Sequence, residues 1–272
     1  MNILTVFGNF VKITQSGGER NKLNNSFFKL LFLFAFLNII SFVSFGSNVI
    51  GDVNKVTGRL VFRAIGENAV IEEVDVLETL RSADVMKKSI NTIIIVEGVT
   101  GIGDDAFGRF EKLKRVIIED GSKIQSMGKG AFNNCESLTD IEIPSGIKKI
   151  SSSTFFGCIN LTNIVIPNGV ELIDTTAFFE CYKLKTITIP SSVGRICTWA
   201  FNGCDSLQDV FYNGTGEQWK GIILSDDQEN KKSLGRATIH CTDVEGLGFD
   251  IGLGNRNKLY MQRRVYSEEG KE

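Results

Sequence analysis

The sequence predicts an α/β-type repeat solenoid, a coil in which short parallel strands lie on one face. Four Ala-Phe pairs and one Thr-Phe pair recur between Ala106 and Phe201 at spacings of 25, 23, 23 and 23 residues. An apolar L-x-x-I-x-I segment precedes each pair, and three of these segments are followed directly by proline, at Pro144, Pro167 and Pro190. A single repeat of this length cannot bury its apolar side chains, so the repeats are expected to stack on one shared core.

Each repeat begins with a predicted strand, because its apolar side chains alternate with a period of two. The inward-facing sets are Ile90/Ile93/Ile95, Leu113/Val116/Ile118, Leu138/Ile141/Ile143, Leu161/Ile164/Ile166, Leu184/Ile187/Ile189 and Leu207/Val210/Tyr212. Proline after a strand ends the hydrogen bonding there, since it has no N–H group. The sixth set begins a unit that never completes, because no Ala-Phe pair follows it.

The rest of each repeat returns to the same interior. Pairs such as Val170/Ile173 and Val193/Ile196 point inward after the turn, and the Ala-Phe pair packs the return side of the coil. One unit departs from the pattern: Glu119 stands in place of proline, and two extra residues lie around 120–122. The strand register is therefore left open at that unit.

Four of the six cysteines occupy one repeat position, three residues after the phenylalanine: Cys135, Cys158, Cys181 and Cys204. Phe110 holds the equivalent place in the first of these repeats, which favours a packing role for a small, buried, apolar side chain. Side chains that point in parallel give poor disulfide geometry, and no metal-binding spacing of cysteine or histidine is present. Cys197 and Cys241 lie outside the column and could pair with each other.

These units resemble the 23-residue, BspA-like (Treponema-type) leucine-rich repeat, with its L-x-x-I-x-I-P strand, G-V-x-x-I turn and A-F-x-x-C return, over residues 90–212. The resemblance implies a right-handed coil and a non-enzymatic chain that binds proteins or other macromolecules at a cell surface, as in adhesion. Residues 212–219 and 237–240 also resemble the C-terminal closing segment of such proteins, which implies a C-terminal cap over 213–246.

The N-terminal residues 1–46 are predicted to be an export signal or a membrane anchor. Residues 27–45 read FFKLLFLFAFLNIISFVSF, with lysine and arginine residues ahead of them. The uncharged apolar part is shorter than the roughly 20 residues of a spanning helix, which favours cleavage after Gly46 over an uncleaved anchor. Either outcome predicts a secreted, cell-surface or envelope location, with membrane contact only through 27–45 if that segment is retained.

The segments that flank the repeats are assigned by pattern. Residues 47–89 are predicted to form an N-terminal helical cap, with a helix over 69–88 that follows Asn68 as its N-cap residue. Val70, Val74 and Leu77 recur at helical spacing within it. Residues 247–272 contain glycine and then many charges, and are predicted to be a mobile tail.

Composition and motifs disfavour nucleic-acid binding and catalysis. The net charge of −2 provides no broad cationic field for nucleic acid. His240 is the only histidine, and the adjacent carboxylates Asp104-Asp105 and Asp226-Asp227 usually diverge into water. The glycine-containing stretch 98–103 lacks the Lys-Ser/Thr ending of a phosphate loop. The sequence therefore predicts no enzyme activity, no cofactor and no metal site.

The outward positions of the strands form the predicted binding face. Thr92 and Ile94 belong to this outward set, and the residues expected to contact a macromolecular partner are Arg115, Ile117, Asp140, Glu142, Asn163, Val165, Thr186, Thr188, Asp209 and Phe211. Apolar residues on such a face favour recognition, whereas the alternative is a solvated sheet face that binds nothing. A second hypothesis for the whole chain is a structural component of the cell envelope that binds copies of itself.

Overall fold

The computed structural model describes residues 39–43, 48–65, 68–119, 123–225, 228–242, 249–254 and 258–263. All described residues belong to one compact unit, residues 38–272. Most of the predicted export segment therefore lies outside the described residues, as does the pair Asp226-Asp227. The part of that segment which is described, Ile39–Val43, is a strand.

The described part of the chain is rich in short strands and has few helices. The strands are β1 (Ile39–Val43), β2 (Val49–Asn54), β3 (Arg59–Ala64), β4 (Ala69–Ile71), β5 (Thr92–Ile95), β6 (Val99–Ile102), β7 (Arg115–Ile118), β8 (Ser126–Met127), β9 (Lys149–Ile150), β10 (Asn163–Val165), β11 (Leu172–Ile173), β12 (Thr186–Pro190), β13 (Arg195–Ile196), β14 (Asp209–Asn213), β15 (Ile223–Leu224), β16 (Thr238–Cys241), β17 (Phe249–Gly254) and β18 (Lys258–Arg263). The α-helices are α1 (Glu73–Ser82), α2 (Gly216–Lys220) and α3 (Gln228–Leu234), and a 3-10 helix covers Lys87–Ser89.

Strands of neighbouring repeats pair in parallel, with equivalent residues opposite each other. Ile164 lies opposite Ile187, Ile187 opposite Val210, and Val210 opposite Ile239. A second row of strands, β9, β11, β13 and β15, is formed by the turn segments, again in parallel register. The predicted leucine-rich-repeat fold with parallel strands is confirmed.

The predicted strand over Leu138/Ile141/Ile143 is the exception. Within the described stretch 123–225, residues 138–144 form no strand, although all three apolar side chains are buried. This unit follows the repeat that is two residues longer than the others. Inward packing is kept here without continuous strand pairing, so the sheet β1-β2-β3-β5-β7 and the sheet that begins at β10 are separate.

The helix predicted over 69–88 is wrong in its extent. Residues 69–71 form β4, which pairs with β6, and α1 begins only at Glu73. The Glu72 backbone N–H donates to Asp75 Oδ2 at 2.8 Å, a bond that fixes the first turn, whereas Asn68 lies in a turn with φ 54°. The three apolar residues Ala69, Val70 and Ile71 fit both the period of a helix and the period of a strand. Their pairing with β6 makes them a strand.

The inward face of α1 also differs from the prediction. Val76, Thr79 and Leu80 are buried, while Val74 and Leu77 are exposed. Thr79 of α1 packs closely against Gly51 of β2, where only glycine leaves enough room: a Cβ atom at position 51 would lie 2.2 Å from Thr79 Oγ1. The segment that precedes the repeats therefore contributes strands as well as a helix.

The sixth unit continues further than the sequence predicts. Leu224 of β15 lies opposite Ile196 of β13, so the second row of strands extends by one unit. Helix α3 then occupies the place of the Ala-Phe return, and β16 adds one more parallel strand to β14. Strands β17 and β18 pair in antiparallel fashion beyond β16, in the segment for which the sequence predicts a mobile tail.

The centre of the core is a stack of phenylalanine rings. Phe107, Phe132, Phe155, Phe178 and Phe201 are fully buried, with successive ring centroids 5.5, 5.9, 5.4 and 5.4 Å apart. Phe62 of β3 contacts the first ring at 5.7 Å. Each ring therefore packs against the equivalent ring of an adjacent repeat, which couples the repeats to one another.

Phe155→Ala is expected to lower the free energy of unfolding by about 3–5 kcal/mol, because it removes a ring packed between two others. Phe156→Ala is the matched control, because the Phe156 ring is only half-buried and its centroid lies 5.1 Å from that of Phe179. The control should cost roughly 1 kcal/mol. Urea unfolding followed by circular dichroism measures both, and equal losses would contradict the proposed importance of the stack.

Candidate binding face

The outward side chains of the repeat strands form two rows across β10, β12, β14 and β16. One row runs Asn163, Thr186, Asp209 and Thr238, and the other runs Val165, Thr188, Phe211 and His240. These rows lie on the side of the sheet opposite the buried Ile164, Ile187, Val210 and Ile239. Adjacent strands are about 4.8 Å apart, so each row is a continuous surface.

The structure does not place all predicted residues on one sheet. Arg115 and Ile117 lie on β7, in the sheet β1-β2-β3-β5-β7, whereas residues from Asn163 to Phe211 lie in the sheet that begins at β10. Asp140 and Glu142 are exposed in the segment between them. Thr92 lies in register with the exposed Arg59 and Arg115, on the outward side of β5, but its side chain is buried and its hydroxyl donates to Asn91 Oδ1 at 2.7 Å.

The second row carries the exposed apolar surface. Val165 is 62% exposed and Phe211 is 42% exposed, while Thr188 between them is half-buried. On the other sheet, Ile117 is 40% exposed. Exposed apolar side chains held in register on strands are a common feature of surfaces that bind proteins.

An aromatic contact joins β14 and β16 in this row. The rings of Phe211 and His240 stack with centroids 4.6 Å apart and planes 15° from parallel. His240 Nε2 lies 2.7 Å from Asp209 Oδ1, a hydrogen bond that fixes the imidazole against the phenyl ring. His240 is not among the residues predicted for the face, although the alternation of Ile239, His240 and Cys241 places its side chain outward.

The first row is polar, and some of its groups bond to each other. Thr186 Oγ1 donates to Asn163 Oδ1 at 2.6 Å, and Asn163 Nδ2 donates to Thr162 Oγ1 at 3.1 Å. These bonds hold the side chains in fixed positions beside the apolar row. A partner would therefore meet an ordered surface, which lowers the entropy cost of association.

The cysteine column has a structural role, as the sequence predicts. Each thiol is buried and donates to the backbone carbonyl of the return phenylalanine one repeat earlier, at 3.2 or 3.3 Å; the pairs are Cys135 to Phe107, Cys158 to Phe132, Cys181 to Phe155 and Cys204 to Phe178. Burial raises the pKa of Cys135 to about 12 and the pKa values of the other three above the usual thiol range. Cys197 and Cys241 form no disulfide.

Within the described part of the chain, no group of three or more histidine, cysteine, aspartate or glutamate side chains is arranged to hold a metal ion. Among the same residues, no helix combines the length and the apolar character that crossing a bilayer requires.

The sequence profile of the BspA type leucine rich repeat region matches residues 79–208, in six copies. The repeat region of this chain is of the BspA type. This assignment agrees with the parallel strand register and the return phenylalanine column that the BspA-type repeats form here. Comparison with curated proteins finds no significant match.

Solved structures resemble the fold. A leucine rich cell surface protein from Faecalibacterium prausnitzii A2-165 is 22% identical with a TM-score of 0.51, over 78% of this chain and 59% of that protein. The chain therefore spans less than two thirds of that protein's length. A T. pallidum leucine rich repeat protein is 20% identical (TM-score 0.44; 67% of this chain, 84% of that protein). A leucine-rich repeat protein from Eubacterium ventriosum is 19% identical (TM-score 0.48; 64% and 44%).

Stability is expected to fall as the pH rises above the unfolded thiol pKa of about 9, because unfolded cysteines ionise while the buried column stays protonated. At pH 10 the loss should be roughly 1 kcal/mol for each buried thiol. Cys158→Ala should reduce the pH-dependent loss by that amount, whereas Cys197→Ala, at a half-buried position, should reduce it less. Urea unfolding under reducing conditions at pH 7.5 and pH 10 measures the difference, and an unchanged pH dependence in Cys158→Ala would contradict it.

Proposed function

We propose that this chain is an exported surface protein that binds another protein through the outward face of its BspA-type strands. The observation that carries the proposal is the row of Val165, Thr188, Phe211 and His240, apolar and aromatic on an ordered sheet. Adhesion is one use of such binding. The described residues offer an extended surface, and protein segments suit a surface of this shape.

The charged residues beside this row give the face its orientation. Asp140 and Glu142 are exposed one repeat before Val165, and Arg115 is exposed one repeat before them. A partner that places an apolar side chain over Phe211 would then meet carboxylates and a guanidinium in fixed order. Charge order of this kind selects the register and direction of a bound partner more than it adds affinity.

The segments on either side of the repeats support the face by covering the ends of the core. We infer that β3, β4 and α1 form the N-terminal cap of a solenoid, since Phe62 packs on the first return phenylalanine. We infer equally that α2, β15, α3 and β16 form its C-terminal cap. In each cap a helix takes the place of the Ala-Phe return.

A photocrosslinking residue placed at position 211 tests the proposal directly. Incubation with extracted surface and extracellular proteins should give a covalent product, and the same partner should be captured from position 165. The matched control is position 171, where Glu171 is exposed beside β11, away from the face. Capture of the same proteins with equal yield from position 171 would contradict binding through the strand face.

The double variant Asp140→Lys, Glu142→Lys is expected to weaken binding of the crosslinked partner about tenfold. The new lysine side chains would face a partner surface that is complementary to carboxylates, so that like charges would meet. The melting temperature should not change, since both side chains are exposed. Glu171→Lys is the control with the same charge change off the face. Surface plasmon resonance and calorimetry measure the two quantities, and unchanged affinity would exclude the acidic part of the face.

A further inference from the structure

The repeats are joined least closely at the boundary between residues 113–137 and 138–160, which we call the unpaired junction. Strand β7 of the first repeat pairs with β5, and the equivalent segment of the second repeat forms no strand. At regular boundaries the residue before the strand donates to the preceding repeat, as the Lys185 N–H does to the Thr162 carbonyl at 2.8 Å. Within the described residues, 139–143 donate no backbone hydrogen bond, so the sheet of the outward face is interrupted here.

The second row of strands is interrupted at the same junction. Strand β8 pairs with β6 and β9 pairs with β11, so that β8 and β9 belong to different sheets. One boundary later, the Asp174 N–H donates to the Ile150 carbonyl at 2.9 Å. At the unpaired junction, the buried Ser151 hydroxyl donates to the equivalent carbonyl, that of Met127, at 2.6 Å. A side-chain bond therefore takes the place of a backbone bond.

A second hydroxyl reaches across the unpaired junction beside that of Ser151. Thr154 stands where the four other return pairs have alanine. Its Oγ1 donates to the Ser151 carbonyl at 2.7 Å and lies 3.4 Å from the Gly128 carbonyl of the preceding repeat. Side-chain hydroxyls therefore make the contacts that backbone N–H groups make at the next boundary.

The return side, by contrast, is continuous across the unpaired junction. The rings of Phe132 and Phe155 are nearly parallel, at 6°, with centroids 5.9 Å apart, against 5.4 or 5.5 Å for the other successive return rings. Where the return side ends, Asn160 Nδ2 donates to the Glu136 carbonyl at 2.7 Å. Three backbone hydrogen bonds join the two repeats on this side, at 2.9, 2.9 and 2.6 Å: Gly130 to Ser152, Phe132 to Thr154 and Asn134 to Phe156. Among the described residues, backbone bonds therefore join these two repeats along one side only.

Apolar burial favours the closed form of the junction that the structure shows. Ile141 and Ile143 pack into the core although their backbone is unpaired. They are 7% and 5% exposed, whereas the equivalent Ile187 and Ile189 are 0% exposed. Separation of the strand sides would expose them further, at an unfavourable free energy. An open form is therefore a minor population.

We propose that the unpaired junction is a hinge, at which the repeats on either side rotate about the return side while their strand sides separate. A single row of backbone hydrogen bonds leaves this rotation free, whereas pairing of the strands as well would fix the angle. The Ser151 hydroxyl is the latch of the closed form, because its bond to the Met127 carbonyl has to break before the strand sides separate. The hinge rests on the pattern of pairing and does not depend on the proposed function.

Rotation at the hinge changes the outward face. Ile117 lies on one side of the unpaired junction, and Val165 and Phe211 lie on the other. The strands lie across the core from the return side, so rotation changes the distance between Ile117 and Val165 and leaves that between Val165 and Phe211 unchanged. A partner that contacts both parts of the proposed binding face would hold the hinge at one angle. This consequence, unlike the hinge itself, rests on the proposed function.

Thiol labelling under native conditions tests the hinge in the full chain, with Cys197→Ser to remove the half-buried native thiol. A reactive thiol is introduced in the first row of strands by Ile143→Cys or in the second row by Met127→Cys. The matched controls are Ile189→Cys and Ile173→Cys, at equivalent buried positions away from the junction. Both junction thiols should react at least about tenfold faster than their controls, because one rotation exposes both rows. Slow labelling at both junction positions would overturn the proposal, and so would fast labelling at position 143 alone, which would indicate a loose strand without rotation.

Removal of the latch gives a second readout. Ser151→Ala should accelerate labelling at positions 143 and 127 by the same factor, about fivefold, which is the effect expected of one net hydrogen bond. Ser192→Ala is the matched control, because the Ser192 hydroxyl donates to the Val170 carbonyl at 2.7 Å between repeats whose strands pair in both rows. It should leave both labelling rates unchanged, and equal effects of the two serine variants would contradict a latch at Ser151.

Hydrogen exchange distinguishes rotation from local unfolding. The Phe132 amide donates across the unpaired junction on the return side, which is the axis of the proposed hinge. Its protection should therefore be the same in Ser151→Ala as in the wild type, and similar to that of the Phe178 amide one boundary from the other end of the stack. If Phe132 lost its protection in Ser151→Ala together with the faster labelling, the repeat would be unfolding and the hinge would be excluded.

Discussion

Alignment of equivalent residues between adjacent repeats is the constraint on which the rest of the structure depends. Parallel strands in register place each side chain beside the equivalent side chain of the next repeat. A residue within a column therefore has the same repeat position as its neighbour on either side. Phenylalanine then stacks on phenylalanine, and each column thiol bonds to the carbonyl of the stacked residue one repeat earlier. Stability accumulates from these nearest-neighbour contacts.

The same constraint explains how much of the fold could be predicted. Within the repeats, a pattern of 23 residues contains almost all the needed information, because the neighbour of Cys158 or Phe155 is another copy of the same position. Burial of the cysteine column and of the inward isoleucines was therefore predictable from spacing alone. The thiol-to-carbonyl bonds were not, since spacing fixes which residues meet and not which polar atoms do.

Predictions failed where a residue has no equivalent neighbour. Residues 69–71 join β4 because β6 lies beside them, and no local pattern distinguishes three such residues from a helical turn. Residues 138–144 follow the longer repeat and lose strand pairing although their apolar pattern is intact. Asn230 is one polar residue in a charged helix, and its contact with Phe201 depends on a tertiary position that spacing does not encode.

The C-terminal unit makes two contacts that the repeats do not make with one another. Helix α3 brings Asn230 to the last return phenylalanine, and β16, ten residues later, brings His240 to Phe211 on the outer face. Only three residues separate α3 from β16, so the position of the helix restrains the position of His240 on the face. The cover over the last return phenylalanine and the aromatic contact on the outer face are therefore made by one short segment of the chain.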